Sequence, residues 1–214
     1  MKKIIRKIVL GCMLLAPAFA SADIITLNAT DSGWYTNYGD HTASNTNYIA
    51  GNIHGQKYRN FFVFDLASIT DEIISATLKV NSVDVSRSGI WSLFDVSTDI
   101  GTLTAGGSGL TSIYKDLGTG TKYGATTIFY KQDHINLNVA LNGNALSSLN
   151  AANDLWAVGG RYKSKGYAFG YSSSHYTRQL ILETKADVPE PASLGLLAAG
   201  LIGLGASRRR KQKA

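Results

Sequence analysis

Apolar and polar residues alternate with period two along much of this chain. Ile25, Leu27 and Ala29 alternate with Thr26, Asn28 and Thr30, and Phe62, Phe64 and Leu66 with Phe61, Val63 and Asp65. Leu78 and Val80 alternate with Thr77 and Lys79, and Ile135, Leu137, Val139 and Leu141 with Asn136, Asn138 and Ala140. Side chains of an extended strand point to opposite faces in turn, so the pattern predicts strands with one buried side. Residues 90–96 read as a buried strand, and 155–158 and 180–182 complete the set. Clusters of Gly, Ser, Thr and Asn at 39–47, 102–109, 118–124 and 172–174 read as the turns between them. One segment departs from the rhythm. Asn142 or Asn144 can cap a short helix through Ala145, Leu146, Leu149 and Ala152, a crossover between two strands. No internal repeat recurs, which sets a solenoid aside. The expected fold is all-β: an antiparallel β-sandwich of the jelly-roll type with one short helix.

Both ends of the chain leave this pattern. Lys2, Lys3, Arg6 and Lys7 precede an apolar run over residues 8–15, and Ala20-Ser21-Ala22 then places small residues where signal peptidase inspects them. The segment reads as a signal helix removed between Ala22 and Asp23. Cys12 follows Val9-Leu10-Gly11 as in a lipoprotein, but too few apolar residues precede it, so it reads as a small hydrophobe. It is the single cysteine of the chain. The mature protein therefore has no disulfide, thiol nucleophile or thiolate metal site, and about 165 residues must be held by a buried core.

At the other end, Pro189-Glu190-Pro191 leads into an apolar run over 192–206 and then Arg208, Arg209, Arg210 and Lys211. As a helix the run spans about 22 Å, short of the ~30 Å hydrocarbon core, and Gly195, Gly200, Gly203 and Gly205 weaken it. The basic cluster holds its end on the cytoplasmic side. Such a short transmembrane helix is suited to a transient stop in the inner membrane that presents the Pro-Glu-Pro at the outer interface. The chain thus divides into a signal peptide (1–22), a β-sandwich domain (23–186) and a C-terminal signal (187–214).

The formal charge is +6 with a pI of about 9.3, which would suit a nucleic-acid partner. The ends supply nine of the 21 basic residues, however. Residues 23–188 carry 12 Lys and Arg against 14 Asp and Glu, a net 12 − 14 = −2, and nucleic acid is set aside.

Catalytic patterns are scarce. His41, His54, His134 and His175 have no paired spacing and read as surface or turn residues. Ser112, Ser147 and Ser172–174 lack a nucleophile elbow. Glu72 and Glu183 are the only glutamates of the domain, and its aspartates fall at predicted strand ends and turns. No cofactor is expected. Asp31, Asp40 and Asn45 offer hard oxygens for a structural calcium, with an ordinary polar turn as the simpler reading. Aromatic residues are better represented, with 11 tyrosines and three tryptophans. Trp91 and Trp156 read as core. Tyr35, Tyr38, Tyr48 and Tyr58 in the first loops, and Tyr162, Tyr167, Tyr171 and Tyr176 in the last, are candidates to stack on sugar faces.

The order Asp31-Ser32-Gly33, Asn37-Tyr38-Gly39-Asp40, Tyr58-Arg59-Asn60-Phe61-Phe62-Val63-Phe64-Asp65-Leu66 and Ile74-Ser75-Ala76-Thr77-Leu78 resembles the opening of secreted jelly-roll modules of the DNRLRE type. Residues 136–142 and 156–160 fit the same type of domain. That resemblance implies a body similar to carbohydrate-binding domains. The three-part tail from Pro189 to Lys211 resembles the sorting signal of PEP-CTERM proteins. It implies recognition by an exosortase and delivery to the cell surface or extracellular matrix of a Gram-negative bacterium. The same tail occurs on some ice-binding proteins. The expectation is an exported, non-catalytic surface or matrix protein of the exopolysaccharide or biofilm layer, with weak carbohydrate affinity. Its partners would be signal peptidase, exosortase and extracellular polysaccharide. The alternative is an extracellular polysaccharide lyase or glycosidase. Ice binding comes third, because regular Thr-x-Thr ladders are missing.

Overall fold

Period-two strands can bury their apolar sides only against a second layer, and this chain does so with two antiparallel sheets. The computed structural model describes residues 22–185. Ala20, the signal helix, Pro189, Glu190, Pro191, the apolar run and the Arg208–Lys211 cluster lie outside the described residues.

The strands are β1 (Ile24–Asn28), β2 (Asp31–Thr36), β3 (Ala50–Ile53), β4 (Gln56–Asp65), β5 (Ile73–Ser82), β6 (Gly89–Phe94), β7 (Lys122–Ile128), β8 (Ile135–Ala140), β9 (Leu155–Lys163), β10 (Tyr167–Ala168) and β11 (Arg178–Thr184). A four-stranded sheet has the order β1-β11-β5-β8. A seven-stranded sheet has the order β10-β3-β4-β9-β6-β7, with β2 on the free side of β4. All the pairings are antiparallel. Between the sheets lies the main core. Leu78, Val80, Val139, Leu180 and Leu182 from the small sheet meet Phe62, Phe64, Trp91, Leu93 and Val158 from the large one. The antiparallel sandwich is as expected, and Trp91 and Trp156 are buried in it.

Three short helices are present among the described residues, where one was expected: α1 (Ile100–Ala105), α2 (Thr111–Asp116) and α3 (Gly143–Ala151). The expected one is α3. Asn142 caps it by accepting from the amides of Asn144 and Ala145. The other two come from stretches rich in Gly, Ser and Thr. Asp99 accepts from the Thr102 amide at 2.9 Å and starts α1, which runs into the predicted turn at 102–109. Tyr35, read as a loop residue, lies on β2, whose backbone pairs along β4.

The two extra helices explain a run that alternation misreads. Phe61, Phe62, Val63 and Phe64 are all buried. Phe62 and Phe64 face the other sheet; Phe61 and Val63 face outward and are covered by Leu103 of α1 and by Ile113 and Leu117 around α2. The large sheet is thus buried on both faces at one end, as a continuous apolar run signals. Gly159 and Gly160 on β9 make the close packing possible. A Cβ at Gly159 would lie 2.7 Å from the Leu117 carbonyl oxygen, on the helix side. At Gly160 it would meet the buried Asn60 amide and the Trp91 indole, on the inner side.

Candidate binding cleft

The eight tyrosines expected to gather into a sugar-binding surface do not do so. Tyr35 is buried on β2, and its hydroxyl donates to the Leu103 carbonyl at 2.8 Å, which ties α1 to the sheet. Tyr48 is buried in the main core and donates to the Asn81 carbonyl at 3.0 Å. Burial raises its pKa far above the ordinary tyrosine value. Tyr162 faces the main core and donates to the Arg87 carbonyl, and burial pushes its pKa up to about 12. Tyr35 and Tyr162 thus lie on strands rather than loops, and Tyr48 keeps its loop position but is buried there: a ring of this size contributes more by burial than by exposure. Tyr167 and Tyr176 are half-buried, the latter 6.0 Å from the His134 ring. Tyr38 and Tyr171 are exposed, at 62% and 80%. Tyr58 is half-buried on β4, donates to Gln56 Oε1 at 2.6 Å and packs edge-on against Trp34 at 5.3 Å.

The other candidates are occupied by local structure. Asp31 accepts from the Ser32 amide at 2.7 Å, Asp40 from the Thr36 hydroxyl at 3.2 Å, and Asn45 from the Asn47 amide at 3.0 Å. Such contacts are the ordinary work of Asx residues in turns. Asp31 and Asp40 do not join a cluster of three or more metal-ligating His, Cys, Asp or Glu side chains, and no such cluster exists among the described residues. His54 and His134 sit in turns with positive φ, and His175 is exposed, as expected of turn residues. His41 is the exception and a correction. It is buried among Tyr35 (4.9 Å), Phe61 (5.4 Å) and Trp34 (6.1 Å), with its Nδ1 unpartnered among the described residues. Burial is the main cause that lowers its pKa; the Asp31 charge and the Trp34 backbone oppose the shift.

A concave surface does form elsewhere, on the outer face of the large sheet just past the helices. It is a cleft of about 470 Å³ lined by Lys57, Tyr58 and Arg59 of β4, Arg161, Tyr162 and Lys163 of β9, and Tyr114 of α2. Outward positions of β4 and β9 alternate with core positions, so Arg59 and Arg161 both project outward, each one residue past the Asn60–Gly160 pair at which the β4–β9 ladder ends. Arg59 is the fixed element. Its Nη1 donates to the carbonyls of Tyr114 (2.8 Å) and Lys115 (2.9 Å) at the end of α2, and its guanidinium lies 4.3 Å from the Tyr114 ring centre. Burial chiefly lowers its pKa, and the nearby Arg161 adds to that. Arg161 in turn lies 5.2 Å from the Phe94 ring centre.

Of the eight candidate tyrosines, Tyr58 and Tyr162 line this cleft. Reasoning from aromatic count missed its cations. The signal was nevertheless there, since Lys57/Arg59 and Arg161/Lys163 each place two cations at strand spacing on one face.

A family model described as a PEP-CTERM protein-sorting motif matches residues 187–211. No curated protein matches the chain. The motif implies an exported protein that an exosortase processes and that reaches the bacterial cell surface.

Proposed function

We propose that this is a non-catalytic cell-surface or extracellular-matrix protein of a Gram-negative exopolysaccharide or biofilm layer, and that it holds extracellular polysaccharide in the cleft between β4 and β9. The observation that carries the reading is the cleft itself: an open concavity on a rigid sheet, lined by long hydrogen-bond donors, in a chain sorted to the surface. A binding role without catalysis is supported by where the carboxylates go. Asp116 accepts from the amides and hydroxyls of Ser97 and Thr98, Asp95 from the Thr121 amide, and Asp133 from the Val85 amide. Asp99 caps α1. Carboxylates committed to turns and caps are poorly placed to act as the acid and base of a glycosidase.

The experiment is retention of the full chain on the producer's own extracellular polysaccharide, with soluble products assayed in the same samples. Retention without new reducing ends or unsaturated sugars is expected. Release of either product would overturn the non-catalytic reading, and failure to be retained would overturn the binding one.

A further inference from the structure

We infer that the polysaccharide this face takes is a polyanion, a chain bearing carboxylate or sulfate groups; the inference rests on the binding reading above and names its ligand class. The cleft between β4 and β9 does not end at Lys163. A second concavity of about 570 Å³, lined by Ser86, Arg87, Ser88, Tyr130, Ser164 and Lys165, shares Ser164 with it. The Ser164 hydroxyl donates to the Ser88 carbonyl at 2.9 Å, and the Tyr162 hydroxyl donates to that of Arg87, so the loop carrying Arg87 is tied to β9. Lys57, Arg59, Arg161, Lys163, Arg87 and Lys165 therefore line two adjoining concavities that meet at Ser164, here called the groove.

These are six of the 12 basic residues between positions 23 and 188, in a body whose net charge is −2. No Asp or Glu lines either concavity. The ion pair found among the described residues, Lys185 with Glu72, lies outside the groove, so none of the six cations has a carboxylate partner there. Gathering like charges on neighbouring strands opposes folding. An overall acidic body that concentrates half its cations without counter-charges presents a field aimed at an anion.

The rings beside the groove point the same way. Arg59 covers Tyr114, Arg161 covers Phe94, and Lys131 lies 5.4 Å over Tyr130. A ring face under a cation is closed to a flat sugar and equally to a nucleic-acid base, which binds by stacking. What remains to read a ligand is a row of cationic heads, since the Ser86 and Ser164 hydroxyls already donate to the Tyr167 and Ser88 carbonyls. A row of cations matches a chain of regularly spaced acid groups.

The test uses the full chain in non-ionic detergent over three immobilised probes: polygalacturonate, neutral dextran and single-stranded DNA. Salt-sensitive binding to polygalacturonate is expected, with none to dextran. The double variant Arg161→Gln/Lys163→Gln should weaken it about tenfold or more, the loss of two charge-assisted contacts. Lys79→Gln, on the outer face of the other sheet, should not change it, and unchanged circular dichroism shows that the double variant folds. Equal retention on dextran, untouched by the double variant, would overturn the polyanion assignment and leave polysaccharide binding standing. Binding to polygalacturonate that ignores the double variant would overturn the groove. Tighter capture by DNA through the same residues would replace the polysaccharide. Retention on no glycan, the producer's own included, would overturn both readings.

Discussion

Strands β4 and β9 both run along the outer face of the large sheet, and each changes character partway. Under α1 and α2 the outward residues are Phe61 and Val63 on β4, Ala157 and Gly159 on β9. Past the helices the next outward residues are Arg59 and Lys57, Arg161 and Lys163. Each strand runs on through the change, although the β4–β9 ladder itself ends at the Asn60–Gly160 pair, beyond which β4 pairs with β3 and β9 with β6; strand geometry thus fixes where the side chains point and the covering layer decides their chemistry. A bare face kept only for solubility would mix charges of both signs. The outer face of the small sheet does this, with Lys79 and Glu183 among Thr, Asn and Gln residues. The contrast marks the cationic end of the large sheet as a surface with a task.

The comparison breaks most directly at its covered end. Phe61→Ala removes a fully buried ring from beneath Leu103, Ile113 and Leu117 and should cost about 3–5 kcal/mol in urea unfolding. A loss below about 1 kcal/mol would mean that the helices are not packed on the sheet. Gly159→Ala acts from the same place by intrusion. Its Cβ would sit 2.7 Å from the Leu117 carbonyl oxygen and 2.8 Å from its Cα, so α2 must lift, at about 1–3 kcal/mol. Because Arg59 is bonded to the end of α2, the same substitution should also disturb the cleft and weaken polygalacturonate binding. Unfolding and binding measured on one sample would separate the two effects.

How much of this was legible in the sequence depended on how local each cause was. The sorting motif is contiguous and was read directly. The helix α3 was legible because its cap, Asn142, and its buried Ala145 and Leu149 lie within eight positions of one another. The helices α1 and α2 were not, since the six-residue segments Ile-Gly-Thr-Leu-Thr-Ala and Thr-Ser-Ile-Tyr-Lys-Asp are too short and too poor in helix formers to stand alone and are stabilised by the sheet they cover. Their one trace was Phe61 and Val63, apolar residues on a side that alternation assigned to solvent. Tyrosines could be counted but not placed. Whether Tyr35 reaches a sugar or the Leu103 carbonyl depends on a partner 68 residues away. The groove was hidden twice, by a net charge near zero that averaged over its segregation and by a β4–β9 pairing across about a hundred residues.

His41 tests the covered end with pH. Burial among aromatic rings lowers its pKa from the ordinary 6.5, so the unfolded chain takes up a proton that the folded one resists. Its contribution to stability is complete above about pH 6.5 and is lost as pH falls through the folded-state value. Urea midpoints compared at about pH 7.5 and about pH 5.5 should fall on acidification, and His41→Asn should remove its share of that slope. An identical slope in the variant would show that other groups, the Asp31 carboxylate among them, carry the acid sensitivity.

The smallest effect on stability is expected at the bare end, where it discriminates most. Arg161 is exposed, makes no ion pair among the described residues and lies near Arg59, both one residue past the Asn60–Gly160 pair. Arg161→Gln removes a repulsion and a cation–π contact of similar size, so stability should stay within about 0.5 kcal/mol of the parent. Arg59→Gln is the useful contrast, because it strands the Tyr114 carbonyl, whereas that of Lys115 keeps the Thr119 hydroxyl, and should cost about 1 kcal/mol. A residue whose removal leaves folding unchanged while binding drops is held in place by its ligand's chemistry. If Arg161→Gln instead destabilised the chain as much as Arg59→Gln, Arg161 would be one more strut of the sheet, and the bare end would be an uncovered continuation of the packed one.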